Sequence, residues 1–216
     1  PVMVGSIDTR TPIFRKRMRY LEFNPTWNVP RGLLSRSLYP RLASDPGYVD
    51  AKGYEFFGAG GKVDPATIDW SAYSGANFPY RVVQKPGPQN AMGRVKFMVP
   101  NHHAVYLHDT PSRELFARSQ RAFSAGCIRV KNPLELARLL LDDQDNWSAE
   151  RIGALVDSAR PQQVVQMQRP VDVLLMYWTV SPEDSRRLEF HEDIYGLDAA
   201  AFAALEAPPV TTPFDA

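Results

Sequence analysis

Residues 10–23, RTPIFRKRMRYLEF, alternate in part between apolar and polar positions, with Met18 and Tyr20 set among Arg17, Arg19 and Leu21. A period of two predicts a strand with one wet face. RVVQKPGPQNAMGRVKFMVPN (81–101) begins the same way, turns at Pro86-Gly87-Pro88 and resumes as the alternating strand RVKFMVP. AVYLHDT (104–110) predicts a short strand ending at His108, and PSRELFARS (111–119) a short helix with proline in its first turn. The period then changes. In NPLELARLLL (132–141) Leu134, Ala137 and Leu141 share one helical face, while Asn132, Pro133 and Glu135 form a capping box. A second helix starting at Ser148 would bury Ile152, Leu155, Val156 and Ala159. VDVLLMYWTV (171–180) is apolar enough to predict a central strand. The fold class expected is mixed α/β, β-rich, with short helices.

Residues 24–80 depart from this pattern. They are rich in Pro, Gly, Tyr and Ser and carry few long periodic runs, which predicts a lid or insertion. Within them FFGAGGKVD (56–64) lacks the Gly-x4-Gly-Lys-Ser/Thr spacing, and no helix pattern follows Lys62. It is a turn, not a phosphate loop. The last residues, EAPPVTTPFDA, read as a loose tail.

With 216 residues, 44% of them hydrophobic and 23% charged, the chain can build one sizeable core. A net charge of +1 argues against a surface made for polyanions. The five basic residues from Arg10 to Arg19 then read as a charged edge strand that discourages sheet-to-sheet pairing, rather than a nucleic-acid contact. No apolar run approaches the roughly 20 residues of a membrane span. The chain opens on Pro1 without a Met and reads as an excised or processed domain.

Cys127, in AFSAGCIRV (122–130), is the only cysteine, so it has no intrachain disulfide partner. A lone thiol is commonly buried filler. Chemistry would need a base or cation nearby and donors for an oxyanion. His108 lies 19 residues earlier, Gly126 removes bulk beside the sulfur, and Arg129 adds positive potential two residues on. A metal set drawn from His102, His103, His108 and Cys127 has neither CxxC nor HxxxH spacing. A papain-type hydrolase would place its cysteine before its histidine, the reverse of this order.

YLHDT (106–110) together with SAGCIRV (124–130) resembles the L,D-transpeptidase (YkuD-type) family, whose signature is a His followed by a Ser-x-Gly-Cys-x-Arg block. NPTWNVPR (24–31), DPGYVDAKGYE (45–55), QKPGPQNAMGRVKFMVPN (84–101) and YWTV with DIYGLD (177–198) extend the likeness to the larger YcbB-like branch. The resemblance implies a YkuD-like β-sandwich catalytic domain over 1–205, a capping subdomain inserted at about 28–80, and a flexible tail at 206–216. It implies Cys127 as nucleophile, His108 as catalytic histidine, Asp109 orienting the imidazole through its backbone carbonyl, and Gly126 beside an oxyanion site. Tyr106 and Trp27 match aromatics lining the donor cleft; Ser124 and Arg129 match the frame of the cysteine motif. Trp70, Tyr73 and Tyr80 would face substrate from the cap or pack its own small core. Ala125 stands where many members carry histidine. The implied partners are peptidoglycan stem peptides, donor and acceptor, with carbapenem-type β-lactams as covalent inhibitors, and no nucleic acid, metal or cofactor. The implied location is the periplasm. Catalytically silent peptidoglycan-binding domains and metal-binding domains are the alternatives.

Overall fold

A computed structural model describes residues 1–143, 147–182 and 187–207; most of the expected tail, 208–216, lies outside the described residues. The residues group into two units, Pro1–Leu174 and Leu175–Ala216.

In the first unit the strands are β1 (Val2–Gly5), β2 (Phe14–Phe23), β3 (Trp27–Asn28), β4 (Tyr54–Gly58), β5 (Gly61–Val63) and β6 (Arg81–Gln84). They continue as β7 (Val95–Met98), β8 (Leu107–His108), β9 (Ala122–Ser124), β10 (Ile128–Val130) and β11 (Gln163–Leu175). Seven of them form one sheet in the order β11-β2-β7-β8-β10-β1-β9. On its core face Leu21 and Phe23 pair across to Phe97 and Val95, and all four are fully buried. The helices Pro133–Leu140 and Ala149–Asp157 close this face with Ala137, Ile152 and Val156, and Leu141 follows the first of them. Burying side chains of this size stabilises by about 1.5–3 kcal/mol each.

A second, four-stranded sheet runs β3-β6-β4-β5, with helical turns between Arg31 and Ala51 packed on it around Leu34, Leu42, Phe56, Phe78 and Val82. Trp70, Tyr73 and Tyr80 all lie against the Phe78 ring, at 5.4, 5.9 and 5.2 Å between centroids. All three are partly buried and pack against this cluster's core. The FFGAGGKVD turn is the β4–β5 hairpin. Where the chain crosses between the two sheets, the buried Asn90 amide donates to the carbonyls of Pro25, Gln84 and Lys85. One side chain thus ties the outgoing and returning crossings together.

Several elements differ from expectation. Residues 171–180 do not make a central strand: β11 is the sheet's outer strand, and it ends at Leu175. The polar residues Gln163, Gln166 and Asp172 belong to the same strand, and such a strand suits a half-solvated edge. The basic strand β2 is not an edge, because β11 covers it, and Arg15 and Arg17 both pair with Asp172 at 2.6 and 2.8 Å. Residues 111–119 supply only a 3₁₀ turn, Arg113–Ala117. Asn132 makes no backbone cap; its amide donates to the Glu135 carboxylate at 3.1 Å instead. Ser148 does cap its helix, accepting from the Arg151 N–H at 3.3 Å.

The second unit holds a hairpin, Val180–Pro182 with Leu188–Phe190, and the helix Asp198–Glu206. The Asp193 carboxylate accepts the N–H groups of Leu197 and Asp198 and the Tyr177 hydroxyl, which hold its pKa down to about 2.

Candidate active site

β8 has two residues, yet its register organises the site. It pairs antiparallel with β7 (Lys96 with His108, Phe97 with Leu107) and parallel with β10 (Leu107 with Ile128, His108 with Arg129). β2 adds Glu22 beside Lys96 and Leu21 beside Phe97. Side chains alternate across a sheet. Leu21, Phe97, Leu107 and Ile128 therefore form a row on the core face, and Glu22, Lys96, His108 and Arg129 a row on the other. One step back along both strands, Tyr106 and Cys127 join that second face, and the Ile128 N–H donates to the Tyr106 carbonyl at 2.9 Å. The thiol and the imidazole are diagonal neighbours, with Cα atoms roughly 8 Å apart by strand spacing and rise.

The His108 Nδ1 lies 2.5 Å from the Asp109 carbonyl oxygen. A carbonyl only accepts, so Nδ1 carries the proton and Nε2 keeps its lone pair as a base. Burial pushes the imidazole down to about 4, with Arg129 and Lys96 adding to the fall against the raising effect of Asp109. His108 is thus neutral at pH 7. The Asp109 side chain also takes part in positioning. Its carboxylate accepts from the Arg94 N–H at 2.9 Å, Arg94 Nε at 3.3 Å and Arg113 at 2.9 Å, while the residue is 2% exposed.

Burial likewise pushes the Cys127 thiol above its ordinary value, against a backbone hydrogen bond at Tyr106 and the positive charges of Lys96 and Arg129. Tyr106 stays a neutral phenol, its pKa raised by burial and then by Cys127. Lys96 was not singled out in the sequence. Its ammonium lies 4.0 Å from the Tyr106 ring centroid, and burial lowers its pKa while Glu22 and Cys127 raise it. The signal for it was in RVKFMVP: if Val95 and Phe97 face the core, Lys96 faces the site.

The turn carrying the thiol is held by hydroxyls. Gly126 has φ +110, a region glycine adopts without strain. Ser124 Oγ accepts the Gly126 N–H at 3.1 Å and donates to the Cys127 carbonyl at 2.5 Å. Thr9 and Thr11, also missed in the sequence, donate to the carbonyls of Ser124 and Gly126, each at 2.9 Å. The Gly126 N–H is therefore engaged, whereas the Cys127 N–H has no partner among the described residues. Ala125 is exposed.

Trp27 pairs with Gln84 and packs against the second hydrophobic cluster. His102 and His103 lie against each other, 3.9 Å between ring centroids, and His103 stacks on Phe14. Among the described residues no group of three or more His, Cys, Asp or Glu side chains converges, and no helix is long and apolar enough to cross a membrane.

One face of a mixed sheet carries a half-buried thiol, a neutral imidazole and the two cations Lys96 and Arg129, the kinds of group that nucleophilic catalysis uses. Residues 1–171 match the YkuD family, the L,D-transpeptidase catalytic domain. A Haemophilus influenzae protein named "Putative L,D-transpeptidase" is 36% identical over 199 residues, which is 91% of this chain and 40% of that protein. The chain belongs to the YkuD L,D-transpeptidase family. It spans about two fifths of the length of that relative.

Proposed function

We propose that the chain is a cysteine acyltransferase that cross-links peptidoglycan stem peptides in the cell envelope, on the periplasmic side. The observation that carries the reading is the Asp109 carbonyl on His108 Nδ1, which leaves a neutral base on the sheet face that also presents Cys127. Both groups rest uncharged at neutral pH, so the thiol proton passes to His108 Nε2 as sulfur attacks. The carbonyl of the donor's third residue, diaminopimelate in the usual stem, forms a thioester with Sγ. The C–N bond to the terminal D-residue breaks, and the imidazolium returns its proton to the departing amine. An acceptor amine then attacks the thioester, His108 takes its proton, and the thiol is restored. The side-chain amine of a second stem's third residue gives the 3→3 link. The Cys127 N–H supplies an oxyanion donor.

Residues 28–80, the cluster around Phe78, would act as a cap that keeps water from the thioester. Intact-mass analysis after incubation with a stem tetrapeptide, and separately with a carbapenem, tests the reading. The expected result is one adduct on Cys127 in each case, with the tetrapeptide adduct resolved by an added amine. No adduct from either reagent on a folded chain would leave a silent domain.

A further inference from the structure

Beyond the Arg129 end of the row, a cleft of about 150 Å³ opens between the second cluster and the loop that follows His108. Its walls include Tyr48, Lys52 and Gln89 on one side and Thr110, Ser112 and Arg129 on the other. Neither aspartate nor glutamate is among the residues that line it. Gln89 Oε1 holds the Lys52 ammonium at 2.7 Å, fixing it at the wall. Arg129 is partly buried, its Nε is buried without a hydrogen-bond partner, and the described residues give it no ion pair. A half-buried guanidinium without a counter-charge is costly. The same fork is suited to a two-oxygen contact with a carboxylate.

Position along the strand says which molecule would bring one. Arg129 is two residues beyond Cys127 on the same sheet face, roughly 7 Å by strand rise. An extended residue spans roughly 3.5 Å, so a carboxylate one residue or one long side chain from the scissile carbonyl reaches the cleft. We propose that this cleft is a carboxylate subsite, in which Arg129 and Lys52 together seat a free carboxylate of the stem peptide and so fix which residue's carbonyl lies over the thiol. The inference rests on the stem-peptide reading above. Two carboxylates of a donor are within reach, that of the departing D-residue and that on the side chain of the third residue. Seating the first selects chains ending one residue past the scissile bond. Seating the second selects a diamino-dicarboxylic acid over lysine.

Calorimetry on the Cys127→Ala protein separates binding from chemistry. The probes are a stem tetrapeptide and its analogues in which one carboxylate at a time is replaced by an amide. The expected result is about tenfold weaker binding for one analogue, and the same loss for the intact peptide when Lys52→Met is added. Lys52→Met should then cost the weakened analogue nothing further, and Arg129→Gln should act the same way with a larger loss. Which analogue is weakened identifies the source. Equal binding of all analogues, or equal losses from Lys52→Met with every one, overturns the subsite. The same peptides on the wild-type chain, read as thioester by mass, report the other reading. Acylation with indifferent binding leaves the transpeptidase and removes the subsite. Carboxylate- and Lys52-dependent binding without acylation does the reverse. No binding and no acylation removes both.

Discussion

A methyl group on Gly93 would lie 2.4 Å from the Cβ of Asp109, well inside contact distance, and Gly93 has φ +62. Asp109 cannot move aside cheaply, since its carboxylate is clamped by Arg94 and Arg113 and its carbonyl holds the imidazole. Gly93→Ala meets both a left-handed backbone, costing about 1–2 kcal/mol, and overpacking, costing about 1–3 kcal/mol. Denaturant unfolding should show a loss of about 3 kcal/mol. Acylation of the folded fraction should fall as well, because the carbonyl on Nδ1 is displaced. A variant with wild-type acylation per folded molecule would disconnect Gly93 from the site.

Lys96 sits between Glu22 and His108 in the row and above the Tyr106 ring. Its charge lowers the pKa of both Cys127 and His108. Lys96→Met should therefore raise both groups. The pH at which iodoacetamide alkylates Cys127 half-maximally should move up, and reaction at pH 7 should fall about tenfold per unit of that movement. Glu22 lies beside Lys96 in the row, and its charge acts to raise the Lys96 pKa against burial. Adding Glu22→Gln should leave the alkylation profile shifted, because Lys96 and not Glu22 acts on the thiol. A double variant with the wild-type profile would make Lys96 purely structural.

The legible parts of this fold were those that local pattern determines. Alternation in RVKFMVP and the helical face of Leu134, Ala137 and Leu141 predicted β7 and the first long helix, and both formed. Strand position was not legible. Apolar content made 171–180 look central, but Asp172 and its two arginine partners show that the strand borders solvent, a long-range pairing no window of the sequence contains. In the site, the motif brought Cys127, His108, Tyr106 and Arg129 to attention, and register brings them to one sheet face. Lys96 and Glu22 escaped because they become neighbours of His108 only when β2 and β7 are laid beside β8. Thr9 and Thr11 escaped for the same reason, lying 115 residues from the carbonyls they hold.

Ser124 is 3% exposed, and its hydroxyl joins the Gly126 N–H to the Cys127 carbonyl. Ser124→Ala leaves the buried Gly126 N–H and the partly buried Cys127 carbonyl without that partner, at about 1–3 kcal/mol for a buried group left unsatisfied. It also frees the Gly126 N–H. The expected outcome is a less stable chain, by about 2 kcal/mol, whose iodoacetamide reaction is little changed but whose acylation by peptide is slower. Alkylation needs only the sulfur, whereas acylation needs the turn to hold the carbonyl in place. Equal loss in both reactions would mean that Ser124 acts on the thiol itself.

The depressed pKa of His108 makes the fold acid-sensitive in a defined window. Unfolded, the imidazole titrates near 6.5; folded, it titrates at about 4 because burial outweighs the pull of Asp109, with Arg129 and Lys96 facing it as further opposition to charge. Between those values the unfolded chain binds a proton that the native chain refuses. Stability is therefore complete above about pH 6.5 and is lost progressively as pH falls toward 4. The difference corresponds to about 3 kcal/mol at most. Urea unfolding from pH 7.5 to 4 should show this slope in the wild-type chain, and His108→Gln, whatever its absolute stability, should flatten it by about that amount. Parallel curves for the two proteins would mean that the imidazole accepts its proton in the folded state at an ordinary pH. In that case the neutral base on which the proposed acyl transfer depends would need another source.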